Sequence, residues 1–159
     1  MSWTNADGLT VLMHEEQGEV ETTGRALGVR QTLVVELADA TTLATSYSAA
    51  AGPTEAFIPA NALIVEAHFI TETGFTSGGS AVLDIGLYNS AGTAIDADGV
   101  DNDIGLTAID AVGEVVKCDG ALVDGTATVG TSDAYVGFRY TTAAYTAGSG
   151  KLVIEYILV

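Results

Sequence analysis

The sequence predicts an all-β fold: a jelly-roll-like β-sandwich with an extended N-terminal arm and at most one short helix. Three observations lead there. Ala, Gly and Thr make up more than a third of the 159 residues, and Gly and Thr between short Val/Ile/Leu/Tyr runs suit strands separated by turns. Lys and Arg, which helix surfaces favour, number only 5, so long exposed helices are not expected. Several stretches alternate apolar and polar residues with the period of two that turns one strand face to a core.

Residues 1–30 form the arm. They carry Trp3, Glu15, Glu16, Glu19 and Glu21, with Gly18, Gly24 and Gly28 between, and only 9–13 reads as a strand. The sandwich, residues 31–159, opens with a strand at 31–38, where Leu33, Val35 and Leu37 share a face. A short strand is expected at 44–48 and a turn at Gly52-Pro53. The clearest strand is 61–71, with Leu63, Val65, Ala67 and Phe69 on one face and Ile64, Glu66, His68 and Ile70 on the other. A glycine turn at 74–79 leads to a strand at 80–88, with Ala81, Leu83, Ile85 and Leu87 inward and Asp84 outward. Residues 89–103 read as loop, and 103–112 as a short helix with Asp103 as N-cap and Gly113 just past its end. Short strands are expected at 114–118 and 121–123. Two long ones, 134–141 and 151–158, are joined by a connection at 142–150. Seven or eight short strands at this spacing predict a two-sheet sandwich. Its expected core holds Leu33, Val35, Val65, Phe69, Leu83, Ile85, Phe138, Ile154 and Tyr156.

Composition excludes several function classes. A chain of this length buries roughly 68–70% of its unfolded surface, enough for one domain. Its 21 acidic residues give a formal net charge of −16, which argues against nucleic acid as a partner, because phosphate neutralisation needs clustered Lys and Arg. The same imbalance argues against an anionic membrane surface. No apolar run approaches the roughly 18 residues of a spanning helix, and residues 1–7 show neither the basic nor the apolar part of a secretory signal. Cys118 is the only cysteine, so no intrachain disulfide forms. A mean hydropathy of +0.35 beside this charge suggests apolar surface covered by a partner, in the first place by other copies of the chain, although small Ala-rich surfaces give the same value without one.

Candidate chemistry is sparse. Asp96, Asp98, Asp101 and Asp103 place four carboxylates in a short stretch, a repulsion that Ca²⁺ would relieve. An EF-hand loop starting at Asp96 needs Asp/Asn and Gly where Val100 and Asp101 stand, so a solvated acidic loop is preferred and no metal or other cofactor is expected. His68 beside Glu66, and His14 before Glu15, read as ordinary half-exposed histidines. No nucleophile elbow appears, and Gly78, Gly79, Gly148 and Gly150 read as turn glycines with no helix following to receive a phosphate. Lys117 beside Cys118 would lower the thiol pKa, but a buried thiol is the commoner case. The chain reads as non-catalytic.

The arm is the candidate partner-binding element. Ordering its backbone costs roughly 1–2 kcal/mol per residue, which its glycines and glutamates do not offset. Docking across a neighbouring subunit would, with Trp3, Leu9, Val11 and Met13 as anchors and Arg25 and Arg30 meeting carboxylates.

Ile58-Pro-Ala-Asn-Ala-Leu-Ile-Val65 opens a strand, a Gly/Ser turn precedes Ala81-Val-Leu-Asp-Ile-Gly86, and Ala144-Tyr-Thr-Ala-Gly-Ser-Gly-Lys-Leu-Val-Ile-Glu-Tyr156 closes the chain. In this order, residues 31–159 resemble the small capsid decoration (cement) proteins of tailed bacteriophages. The acidic segment 15–21 has no counterpart in that pattern. The resemblance implies a structural virion protein, made in the host cytoplasm, that binds the outside of an assembled head. Its implied partners are the major capsid protein and itself, often as a homotrimer, with no enzyme activity. A second function class is a carbohydrate-binding jelly roll. Tyr47, Tyr88 and Tyr145 would supply its platform and the 96–103 loop its polar contacts.

Overall fold

A computed structural model describes residues 2–4, 10–12, 28–49 and 57–159, with no side chains described for 2–4, 10–12, 48 and 49. Within the arm, β1 (Ser2–Thr4) and β2 (Thr10–Leu12) pair antiparallel as a small sheet of their own. The expected 9–13 strand thus has a partner at the chain start that no alternation announces.

Eight strands form two four-stranded antiparallel sheets. The first, in the order β3-β10-β5-β8, joins β3 (Gln31–Leu37), β10 (Tyr145–Leu158), β5 (Ala62–Ser77) and β8 (Val115–Lys117). The second, β4-β9-β6-β7, joins β4 (Ser48–Ala49), β9 (Tyr135–Thr141), β6 (Val82–Tyr88) and β7 (Ala94–Gly105). The chain is an all-β sandwich with no α-helix among the described residues; 3₁₀ turns cover Ala40–Thr42 and Leu106–Ala108. The Phe69 ring on β5 meets the Phe138 ring on β9 at a centroid distance of 6.3 Å, tying the two sheets together. Leu83, Ile85, Leu87, Leu152, Ile154 and Tyr156 fill the same core.

The strand phases explain where the expectations fail. On β5, Glu155 faces Glu66 but the next β10 residue, Tyr156, faces Ile64. Val65 is therefore the extra residue of a β-bulge, and the bulge switches which side chains point inward. Ala62 and Ile64 are buried before it, Ala67 and Phe69 after it, and Val65 is left only partly buried rather than in the core. Leu33 packs against the core while partly exposed.

The glycine turn expected at 74–79 is strand as far as Ser77, and the 142–150 connection shrinks to a tight turn at 142–144, since β10 begins at Tyr145. Gly148 and Gly150 are accordingly strand residues. A Cβ at either would come within 2.5 Å of the Phe75 or the Phe69 ring, so their bareness seats the two rings. The expected 44–48 strand is displaced to Ser48–Ala49. Residues 52 and 53, the expected turn, lie outside the described residues.

The largest correction is at 89–112. Asn89 closes a tight turn, its side chain accepting from the N–H groups of Ala91 and Thr93, and the chain returns as β7 rather than as loop. Leu87 faces Asp96 while Ile85 faces Asp101, so β7 spends five residues where β6 spends two, and the bulge erases any alternation. Asp103 lies inside β7 and caps no helix; the predicted 103–112 helix is a single 3₁₀ turn followed by bends. Residues 121–123 are turn rather than strand.

Candidate interaction surface

On β6, Asp84 was expected to point outward to solvent. It does lie opposite Leu83 and Ile85, but it is buried, 1% exposed. Its register neighbour on β9 is Arg139, whose Nε donates to the carboxylate at 3.0 Å, and the Asp103 N–H donates to it at 3.1 Å. A mid-strand Asp aligned with a mid-strand Arg is the signal that could have paired them, but the alignment depends on sheet register.

The four candidate calcium ligands are distributed along β7 and do not converge. Asp96 lies against Asp98, and burial followed by that neighbour raises its pKa. Asp101 is buried, 4% exposed, on the flank where β7 approaches the segment after β8, and Asp103 is exposed. Among the described residues no three His, Cys, Asp or Glu side chains are grouped as a metal ion requires.

Cys118 is buried, and burial first, then Asp101, raises its pKa; Lys117 has no activating effect, its ammonium reaching instead to Glu66 at 3.7 Å. His68 sits 3.5 Å from the same Glu66, half-exposed as the strand pattern implied.

The outer face of the first sheet is a lattice of paired charges and valines. One row across it reads Glu36, Lys151, Ile70, Val115 and the next Val34, Val153, His68, Lys117. Val34 and Val115 are 52% and 57% exposed. Lys151 bonds Glu72, and Arg30, just before β3, bonds Glu155 on β10 at 2.7 Å. The carboxylate that Arg30 meets is thus intramolecular.

Of the other arm anchors, Trp3 and Val11 are register partners across β1 and β2. Leu9, Met13 and Arg25 lie outside the described residues. The tyrosines proposed as a sugar platform do not form one. Tyr88 and Tyr145 are buried at 4% and 3% exposure, and Tyr47 stacks on Tyr88 with centroids 3.7 Å apart. These rings pack the protein against itself.

No family model matches the chain, and no curated protein does. Solved structures do. A chain in the capsid of Ralstonia phage GP4 superposes with a TM-score of 0.58 at 17% identity, over 84% of this chain and 87% of that one. The capsid asymmetric unit of cyanophage Pam1 gives 0.52 at 14% identity over 100% of both chains. The acid-stable capsid of Helicobacter pylori bacteriophage KHP30 gives 0.54 at 13% identity, over 84% of this chain and 90% of that one. At such identities the likeness is one of fold, and the fold is an all-β sandwich found in phage capsids.

Proposed function

We propose that this chain is a structural virion protein that decorates a phage head, binding its outer surface and stabilising it by bridging neighbouring major capsid subunits. The observation that carries the reading is the near end-to-end match to capsid chains. Coverage of 84–100% of this chain against 87–100% of the other means partners of nearly equal length. The likeness is therefore to small separate chains, not to one domain embedded in a large shell protein. A sandwich without grouped metal ligands among its described residues, and with its tyrosines used in packing, suits a scaffold better than an enzyme or a lectin.

Within this reading, residues 31–159 are the decoration domain and residues 1–30 an arm that reaches over a neighbouring subunit. The chain acts as a homotrimer. The test is compositional: gradient-purified particles of the source phage should contain the chain in a fixed ratio to the major shell subunit. Recombinant protein should also re-bind particles stripped of it and co-sediment with them. Absence from purified particles, together with no co-sedimentation, overturns the proposal.

A further inference from the structure

Exposed apolar residues gather on one part of the described surface, the outer face of the first sheet. Val34 and Val153 are register partners there, as are Ile70 and Val115. Ile70 lies diagonally across from Val153, two residues beyond its partner His68. Diagonal neighbours on a sheet are about 7–8 Å apart, so the four side chains make one apolar stripe from the β3 edge to the β8 edge. Its ends, Val34 and Val115, are exposed and its middle is half-buried. The other exposed large apolar residues among those described are Val29, Val112 and Val159. They lie on chain entering β3, entering β8 and leaving β10, so all five belong to this sheet.

Charge is divided the same way. Of the 15 Asp and Glu residues described, Glu36, Glu66, Glu72 and Glu155 lie on this face, together with three of the four described Lys and Arg. Lys151 pairs with Glu72 on one side of the stripe; Arg30 pairs with Glu155 and Lys117 with Glu66 on the other. The other 11 acids share Arg139 alone, and Asp84 engages it. A chain of net charge −16 repels its own copies wherever unmatched acids approach within a Debye length of about 8–10 Å. Cationic partners are drawn to those acids instead. The near-neutral face is where two such chains meet at least electrostatic cost, and the stripe is what they gain by burying.

We propose that the outer face of the first sheet is the contact between copies of this chain, the Val34–Val153–Ile70–Val115 stripe of one packing on the same face of another. The inference shares with the homotrimer proposed above that the chain self-associates, and it needs no head as a partner.

Sedimentation velocity of the full chain alone, over a range of concentrations, should show species heavier than the 16.2 kDa chain. Val34→Glu and Val115→Glu each place a carboxylate at one exposed end of the stripe, and should weaken association more than about 30-fold. Ala94→Glu adds the same charge at an exposed site on the second sheet and should change it less than about 3-fold. If a valine variant loses its β-rich circular dichroism, amine acylation of the wild type decides. The chain's two lysines, Lys117 and Lys151, are both on this face and should react more slowly as the chain associates.

A wild-type chain that stays at 16.2 kDa overturns the inference. In that case, co-sedimentation with particles lost in Val34→Glu makes the shell the occupant, and lysine acylation that speeds up on deleting residues 1–28 makes it the chain's own arm. A trimer that survives both glutamate variants also overturns the inference and leaves the homotrimer standing. A dimer abolished by them supports the inference and refutes the homotrimer.

Discussion

Replacing Phe69 with alanine tests the sandwich at the point where its sheets touch. The ring is fully buried and meets Phe75 of its own strand at 5.9 Å and Phe138 of the opposite sheet at 6.3 Å. Phe→Ala in a core costs about 3–5 kcal/mol, part transfer and part cavity. Two features keep this site off the lower end of that range. Each lost aromatic pair adds roughly 0.5–1.5 kcal/mol beyond its area, and hydrogen-bonded strands on both sides resist collapse into the hole. The expected loss is about 4 kcal/mol, from a total stability that for a domain is about 5–15 kcal/mol. At roughly 2–4 °C per kcal/mol, the melting midpoint should fall by about 8–16 °C. Urea unfolding followed by far-UV circular dichroism measures the loss, with Val115→Ala on the same sheet as an exposed control expected within about 0.5 kcal/mol. A loss for Phe69→Ala below about 1.5 kcal/mol would mean that the sheets do not pack through this ring, and the reasoning fails.

Truncating Arg139 to alanine leaves the buried Asp84 carboxylate with only the Asp103 N–H, and should cost about 2–4 kcal/mol in the same assay; Arg139→Lys should recover part of it. By contrast, Arg30→Ala breaks an exposed pair and should change stability by less than about 1 kcal/mol. The Cys118 thiol, buried and with its pKa raised by burial, should resist a thiol reagent at pH 8 in native protein and react fully once unfolded; rapid native labelling would contradict its placement. Deleting residues 1–28 should leave the β-rich spectrum intact while weakening attachment to particles or sister subunits. Loss of folding on deletion, together with normal binding by Trp3→Ala, would make the arm part of the core instead.

The sequence by itself determined most strands, because a period-two pattern is local. Leu83, Ile85 and Leu87 on β6, and Leu152, Ile154 and Tyr156 on β10, alternate in any strand and must face one way together. It determined equally that Cys118 would be an inert buried thiol and that His68 would stand beside Glu66. Pairing between distant strands decided the rest. The Val65 bulge exists only because β10 is one residue short opposite it, and nothing within β5 marks the change of phase. The acidic stretch 94–105 has poor strand propensity and no alternation, yet is held extended by β6 on one side and the 118–123 segment after β8 on the other. Asp84 and Asp101, both buried acids on strands, differ because register gives one an arginine and leaves the other near carboxylates. A charge shows its sign in the sequence, but its partner and its access to water are set by which strands the fold places beside it.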